Sequence, residues 1–138
     1  MATTKKSSLY ETGLAVRREV LGHDYVERSL ASVTDFNAPF QRFITEFAWG
    51  GVWARPGLTR KERSMLNLAM LTALGRNEEV ALHVRGALNN GLTVEQIREV
   101  LLHTTVYCGV PAALESFKIA AKVLAEEGRL PAAQPAAR

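Results

Sequence analysis

Three stretches of this chain hold residue types that do chemistry. The densest is Glu78-Glu79-Val80-Ala81-Leu82-His83-Val84-Arg85. Glu79 and His83 stand four apart, which puts them on one face of a helix. A carboxylate beside an imidazole raises its pKa and orients the ring, which suits a proton donor. The same pair on a solvated surface contributes only roughly 0.2–0.5 kcal/mol, and spacing alone favours that structural reading. The second stretch is Trp49-Gly50-Gly51-Val52-Trp53-Ala54-Arg55-Pro56. It sets both tryptophans and Arg55 around a pair of glycines: an apolar wall with one anion hook, or equally a tryptophan-filled corner. The third, His103 to Pro111, places His103, Tyr107 and the sole cysteine, Cys108, at the junction of two helices. A lone cysteine on an apolar helix usually serves as a small hydrophobe.

The elements that carry these stretches are helical throughout. Ser8-Leu9-Tyr10-Glu11, Thr59-Arg60-Lys61-Glu62 and Thr93-Val94-Glu95-Gln96 read as capping boxes. Asp24 to Ala31 reads as a short second helix. Asp35 can cap a third, whose Phe36, Phe40, Phe43 and Phe47 recur as one apolar face and predict core packing. Gly50-Gly51 is expected to break that helix, and Pro56-Gly57 demands a turn. No run alternates with period two for long enough to make a strand. The expected fold is all-α: a compact domain of six to seven helices over residues 8–128, with flexible tails at 1–7 and 129–138. The helices over 60–74 and 111–126 carry Ala and Leu around much of their circumference, more than a small domain can bury, so subunit packing is expected.

Composition narrows the classes. The 138 residues make about one domain, 47% hydrophobic and 22% charged. Lys and Arg total 17 against 14 acidic residues, and the basic side chains are scattered rather than gathered in the stripe a nucleic-acid binder needs. One cysteine excludes an internal disulfide framework, a Cys-rich zinc site and an intramolecular dithiol couple. No stretch of about 18 apolar residues predicts a membrane span. Met1 to Lys6 leads into no apolar segment of a secretory signal. A reducing, cytoplasmic compartment is therefore expected. Neither a P-loop, a G-x-G-x-x-G turn nor a G-x-S-x-G elbow is present, and His23, His83 and His103 are too far apart for an H-E-x-x-H site. If the chain is an enzyme, it is expected to work with no metal and no organic cofactor.

A set of residues in fixed order carries a resemblance. It comprises Asp35-Phe36-Asn37, Phe47-Ala48-Trp49-Gly50 with Trp53, Arg55-Pro56-Gly57-Leu58, Arg63-Ser64 and Leu74-Gly75-Arg76. It continues with Glu79, His83-Val84-Arg85, Asn89-Asn90-Gly91, Leu102-His103, and Tyr107 with Gly109 and Pro111-Ala112. Over roughly residues 9–126 the chain resembles the carboxymuconolactone decarboxylases. That resemblance implies a fold shared with alkyl hydroperoxide reductase D-like proteins, assembled as homo-trimers or hexamers with sites near subunit contacts. It implies cofactor-free decarboxylation of a small dicarboxylate lactone, 4-carboxymuconolactone, to β-ketoadipate enol-lactone in protocatechuate catabolism. Peroxidase-type relatives carry C-x-x-C followed by a His. Here Cys108-Gly109-Val110-Pro111 and Glu115 stand instead, so the second thiol is gone. A thiol-dependent redox protein and a non-catalytic small-molecule-binding module are the weaker readings.

The resemblance, joined to residue chemistry, suggests roles. His83, supported by Glu79, protonates carbon, and Tyr107 or a backbone amide stabilises the developing oxyanion. Arg85 and Arg55 grip the carboxylates. Trp49 and Trp53 exclude water, while Cys108 and His103 line the pocket. Two residues apart on a helix point about 200° from each other. Arg85 therefore either serves a different subunit's pocket from His83 or is a structural ion-pair partner.

Overall fold

In the computed structural model, residues 7–130 are described, and among them every regular element is helical. They form two compact units that divide at Arg60. The first contains α1 (Ser8–Leu21), α2 (His23–Ala31), α3 (Ala38–Phe43) and a π-helix (Ile44–Trp53). The second contains α4 (Arg60–Leu74), α5 (Asn77–Asn89), α6 (Val94–Cys108) and α7 (Val110–Glu126). The seven α-helices meet the expected number. The expectations for residues 1–6 and 131–138 lie outside the described residues.

In the first unit, α1 packs chiefly on the π-helix. The cap of α1 is Ser7, one residue before the expected Ser8; its Oγ accepts from the Tyr10 amide at 3.1 Å. The crossing is a backbone contact. A Cβ on Gly13 would stand 1.9 Å from the Thr45 carbonyl oxygen and 2.8 Å from the Gly50 nitrogen. A Cβ on Gly50 would stand 2.5 Å from the Leu9 carbonyl oxygen. Only glycine permits this approach. Leu14, Val20, Leu21, Val26, Trp49 and Trp53 are buried around it.

Two expectations fail here. Gly50-Gly51 does not end the helix. The chain instead widens into i→i+5 turns through both glycines, and the Ala54 amide bonds the Trp49 carbonyl at 3.1 Å. The four phenylalanines are not core: Phe36, Phe40, Phe43 and Phe47 are exposed, the first at 96% and the last at 50%. The reason is the crossing itself. Thr45 and Gly50 occupy the inward side, where α1 leaves no room for a ring, so the aromatic side faces away from this unit's core. Phe43 and Phe47 contact each other there at 4.8 Å.

Among the described residues of that unit, Arg17 is the one buried charge. It is 4% exposed and donates to Ser29 Oγ at 3.1 Å, Gln41 Oε1 at 3.2 Å and Thr45 Oγ1 at 3.4 Å. Burial lowers its pKa below the usual arginine value, opposed by the fields of Tyr25 and Tyr10. Its stem packs while its fork ties α2, α3 and the start of the π-helix to α1.

In the second unit, α7 packs on α5 and α6 over a core of Leu68, Val80, Val84, Ile97, Leu101 and Leu124. Each fully buried Leu or Ile contributes about 2 kcal/mol by leaving water. Thr72 and Ser116 satisfy each other's buried hydroxyls at 2.8 Å. The Thr93 capping box is present in full, with Oγ1 accepting from the Gln96 amide at 3.0 Å and Gln96 Oε1 accepting from the Thr93 amide at 2.9 Å. Gly109, at φ 94°, turns α6 into α7 within one residue. No helix among the described residues is long and apolar enough to cross a membrane.

Candidate active site

The expected site residues fall into three groups. The first is built on the α4–α5 hairpin. His83 is half-buried on α5, and its Nδ1 lies 3.4 Å from Nδ2 of Asn67 on α4. Glu79 stands one turn earlier on the same helix and is exposed. Its field favours a charged ring, as the spacing suggests. Burial disfavours the charge more strongly, and the net effect lowers the His83 pKa to about 4. The expectation of a raised pKa is thus reversed. Water screens the exposed carboxylate, while burial withholds solvation from the ring. His83 is a neutral imidazole at pH 7.

Arg85, two residues on, does not share this site. Its Nη2 meets Glu126 Oε2 at 2.8 Å and its Nε meets Glu127 Oε1 at 3.3 Å, at the end of α7. Of the two readings left open for Arg85, the structural ion pair is the one this geometry matches.

The second group lies at the end of α6. His103 and Tyr107 are four apart and their rings approach to 4.8 Å. Tyr107 is 77% exposed, and Cys108 beside it is an exposed free thiol. His103 also lines an open, mostly apolar groove of about 520 Å³ between α4 and α6, with Met65, Leu66 and Ala69 on one side and Glu95 and Glu99 on the other. Two carboxylates at its rim make that groove a poor host for a dianion.

The third group is in the first unit. Trp49 and Trp53 are buried and stack at 5.1 Å, with the π-helix bringing residues four apart face to face. Arg55 is exposed in the turn that follows. Among the described residues, no three His, Cys, Asp or Glu side chains come together as a metal site.

Sequence reasoning missed Asn67. A signal existed: it is a polar side chain one residue from Leu68, on a helix whose inward residues are Ser64, Leu68 and Thr72. Its partner on another helix could not be read from spacing.

A helical scaffold that holds a half-buried, neutral imidazole against an amide fits enzymes that meet negative charge developing on their substrate. The comparisons narrow that class. The family model described as carboxymuconolactone decarboxylase matches residues 38–122, more than half of the chain. The 4-carboxymuconolactone decarboxylase of Acinetobacter baylyi is 47% identical over 122 residues, covering 88% of this chain and 91% of that protein. The nitrosuccinic acid decarboxylase of Metarhizium robertsii is 47% identical over 116 residues, covering 84% of this chain and 81% of that protein. A 4-carboxymuconolactone decarboxylase of Pseudomonas putida is 49% identical over 41 residues, 30% of this chain and 85% of that sequence. The chain belongs to the carboxymuconolactone decarboxylase family. It is an enzyme of the carboxy-lyase class.

Proposed function

We propose that this enzyme removes CO₂ from 4-carboxymuconolactone, giving β-ketoadipate enol-lactone, as a cytoplasmic homo-oligomer acting in protocatechuate catabolism. The observation that carries the substrate assignment is the identity of 47% with the Acinetobacter baylyi protein across 88% of this chain. The chemistry agrees with the residues. When CO₂ leaves, its bonding pair passes through the ring double bond onto the lactone carbonyl oxygen, forming a dienolate. A proton then adds to carbon. A nitro group takes up an electron pair on oxygen in the same way, so the two named substrates of the relatives share one demand.

The protein's tasks are to hold a dianion and to meet negative charge as it develops on oxygen. A neutral His83 meets that charge as an N–H donor, and one such preorganised donor lowers a barrier by about 3 kcal/mol. With its pKa lowered, His83 is not an imidazolium acid at pH 7, and the proton that carbon takes up is drawn from solvent. Glu79 tunes the ring through its field. Arg55, exposed beside the paired tryptophans, is the carboxylate hook, and Trp49 and Trp53 form an apolar wall that weakens carboxylate solvation. Val106 and Tyr107, each 77% exposed, and Val110, 62% exposed, crowd the α6–α7 turn. Covering that face with another copy would bring His103, Tyr107 and Cys108 into a contact-lined pocket, with the Tyr107 hydroxyl as a second oxyanion donor.

Release of CO₂ from 4-carboxymuconolactone by purified, metal-free protein tests the reading. Turnover of nitrosuccinate with none of the lactone would move the substrate class.

A further inference from the structure

The amide of Asn67 is directed at one nitrogen of the His83 ring rather than at the ring in general. Nδ2 of Asn67 lies 3.4 Å from Nδ1 of His83, at the long end of a hydrogen bond. An amide nitrogen only donates, and an imidazole nitrogen that receives a hydrogen bond must carry a lone pair. A neutral imidazole has one proton for its two nitrogens, so a lone pair on Nδ1 places that proton on Nε2.

We propose that Asn67 is a positioning residue that fixes His83 as the Nε2–H tautomer, so that the ring offers a donor to the reacting oxygen. This rests on the reading of His83 as the oxyanion donor. Without Asn67 the proton would divide between the nitrogens, and part of the protein would present a lone pair where a donor is needed. Protonating Nδ1 would also set two N–H groups against each other. The same amide therefore opposes formation of imidazolium and works in the same direction as burial. Glu79, on the ring's own helix, acts on it through its field, whereas Asn67, from the facing helix, selects between the nitrogens.

Ring ¹⁵N spectra of the full-length protein at pH 7, labelled at histidine, read the tautomer without any need for turnover. The expected spectrum has a protonated Nε2 and a bare Nδ1 for His83. Asn67→Asp keeps the shape but offers only acceptors. It should move the proton onto Nδ1 and lower kcat about 10²-fold with KM changed by less than about threefold. Asn67→Leu should mix the tautomers with a smaller loss, which guards against reading a folding defect as an effect on the ring. A wild-type ring protonated on Nδ1 overturns the proposal, as does an Asp variant that changes tautomer while keeping its kcat. The expected spectrum in a protein that releases no CO₂ from the lactone would support the tautomer assignment and count against the proposed reaction.

Discussion

The Thr45 carbonyl oxygen sits 1.9 Å from where a Cβ on Gly13 would be, so α1 and the π-helix touch main chain to main chain. A second near contact, 2.8 Å to the Gly50 nitrogen, lies on the same side. Neither neighbour is a side chain that can swing away. Gly13→Ala must therefore force the helices apart, disturbing the π-helix that stacks Trp49 on Trp53. We expect a loss of about 3 kcal/mol or more, seen as a Tm lower by roughly 10 °C or as failure to fold. A urea midpoint equal to that of the wild type would show that the crossing relaxes freely.

Arg85 offers the opposite case. Its fork already meets Glu126 and Glu127, and it is 40% exposed. Exposed pairs contribute little, so Arg85→Ala should cost less than about 1 kcal/mol. Steady-state assays should find kcat/KM within about threefold of the wild type. A hundredfold rise in KM would instead return Arg85 to the substrate carboxylates.

Much of the helical fold was legible because caps and breakers act locally. The Thr93 box and the α6–Gly109–α7 turn follow from neighbours three residues apart or fewer, and the structure shows both. The π-helix was not legible: Thr45 and Gly50 meet the backbone of α1, a contact between segments far apart in sequence. Nor was the outward set of the phenylalanines: periodicity shows that Phe40, Phe43 and Phe47 share a side, but not which side meets the core. The site followed the same rule. The Glu79–His83 spacing is local and was read. The burial that outweighs Glu79 is set by packing that spacing does not show, and the partner Asn67 comes from α4 across the hairpin.

The His83 shift makes a pH prediction whose sign is fixed. Its pKa is lowered to about 4 in the folded chain, against about 6.5 unfolded. Between those values the unfolded chain binds a proton that the folded chain refuses, so stability falls as pH drops. The contribution is fully present above about pH 6.5 and lost by about pH 4, and it amounts to no more than about 3 kcal/mol. Urea titrations at pH 7 and pH 4.5 should show it, and His83→Gln should remove that part of the difference. An unchanged pH dependence in the variant would place the ring's pKa near its ordinary value.

Cys108 ends α6 as an exposed thiol with no second cysteine anywhere in the chain. Decarboxylation of a substrate with its own electron sink gives a thiol no electrons to move. Cys108→Ser should therefore keep turnover within about threefold and leave CO₂ release insensitive to reductant. Loss of activity on peroxide treatment, restored by dithiothreitol and absent in the variant, would show a thiol controlling the site.

The proposed assembly can be tested on one face. Val106 is 77% exposed, Val110 62% and Leu114 50%, an apolar surface gathered around the α6–α7 turn. None of these side chains belongs to the core of Leu68, Ile97 and Leu101, so a charge placed there leaves the fold standing. Burying such a surface between copies removes apolar area from water at about 25 cal/mol per Å², and a buried unpaired carboxylate costs several kcal/mol. Val106→Glu should shift the protein to smaller species in analytical ultracentrifugation while its helical circular dichroism stays constant. If Tyr107 and His103 work only where copies meet, turnover should fall with the assembly and recover partly at high protein concentration. A variant that sediments as the wild type would remove this face from the contact.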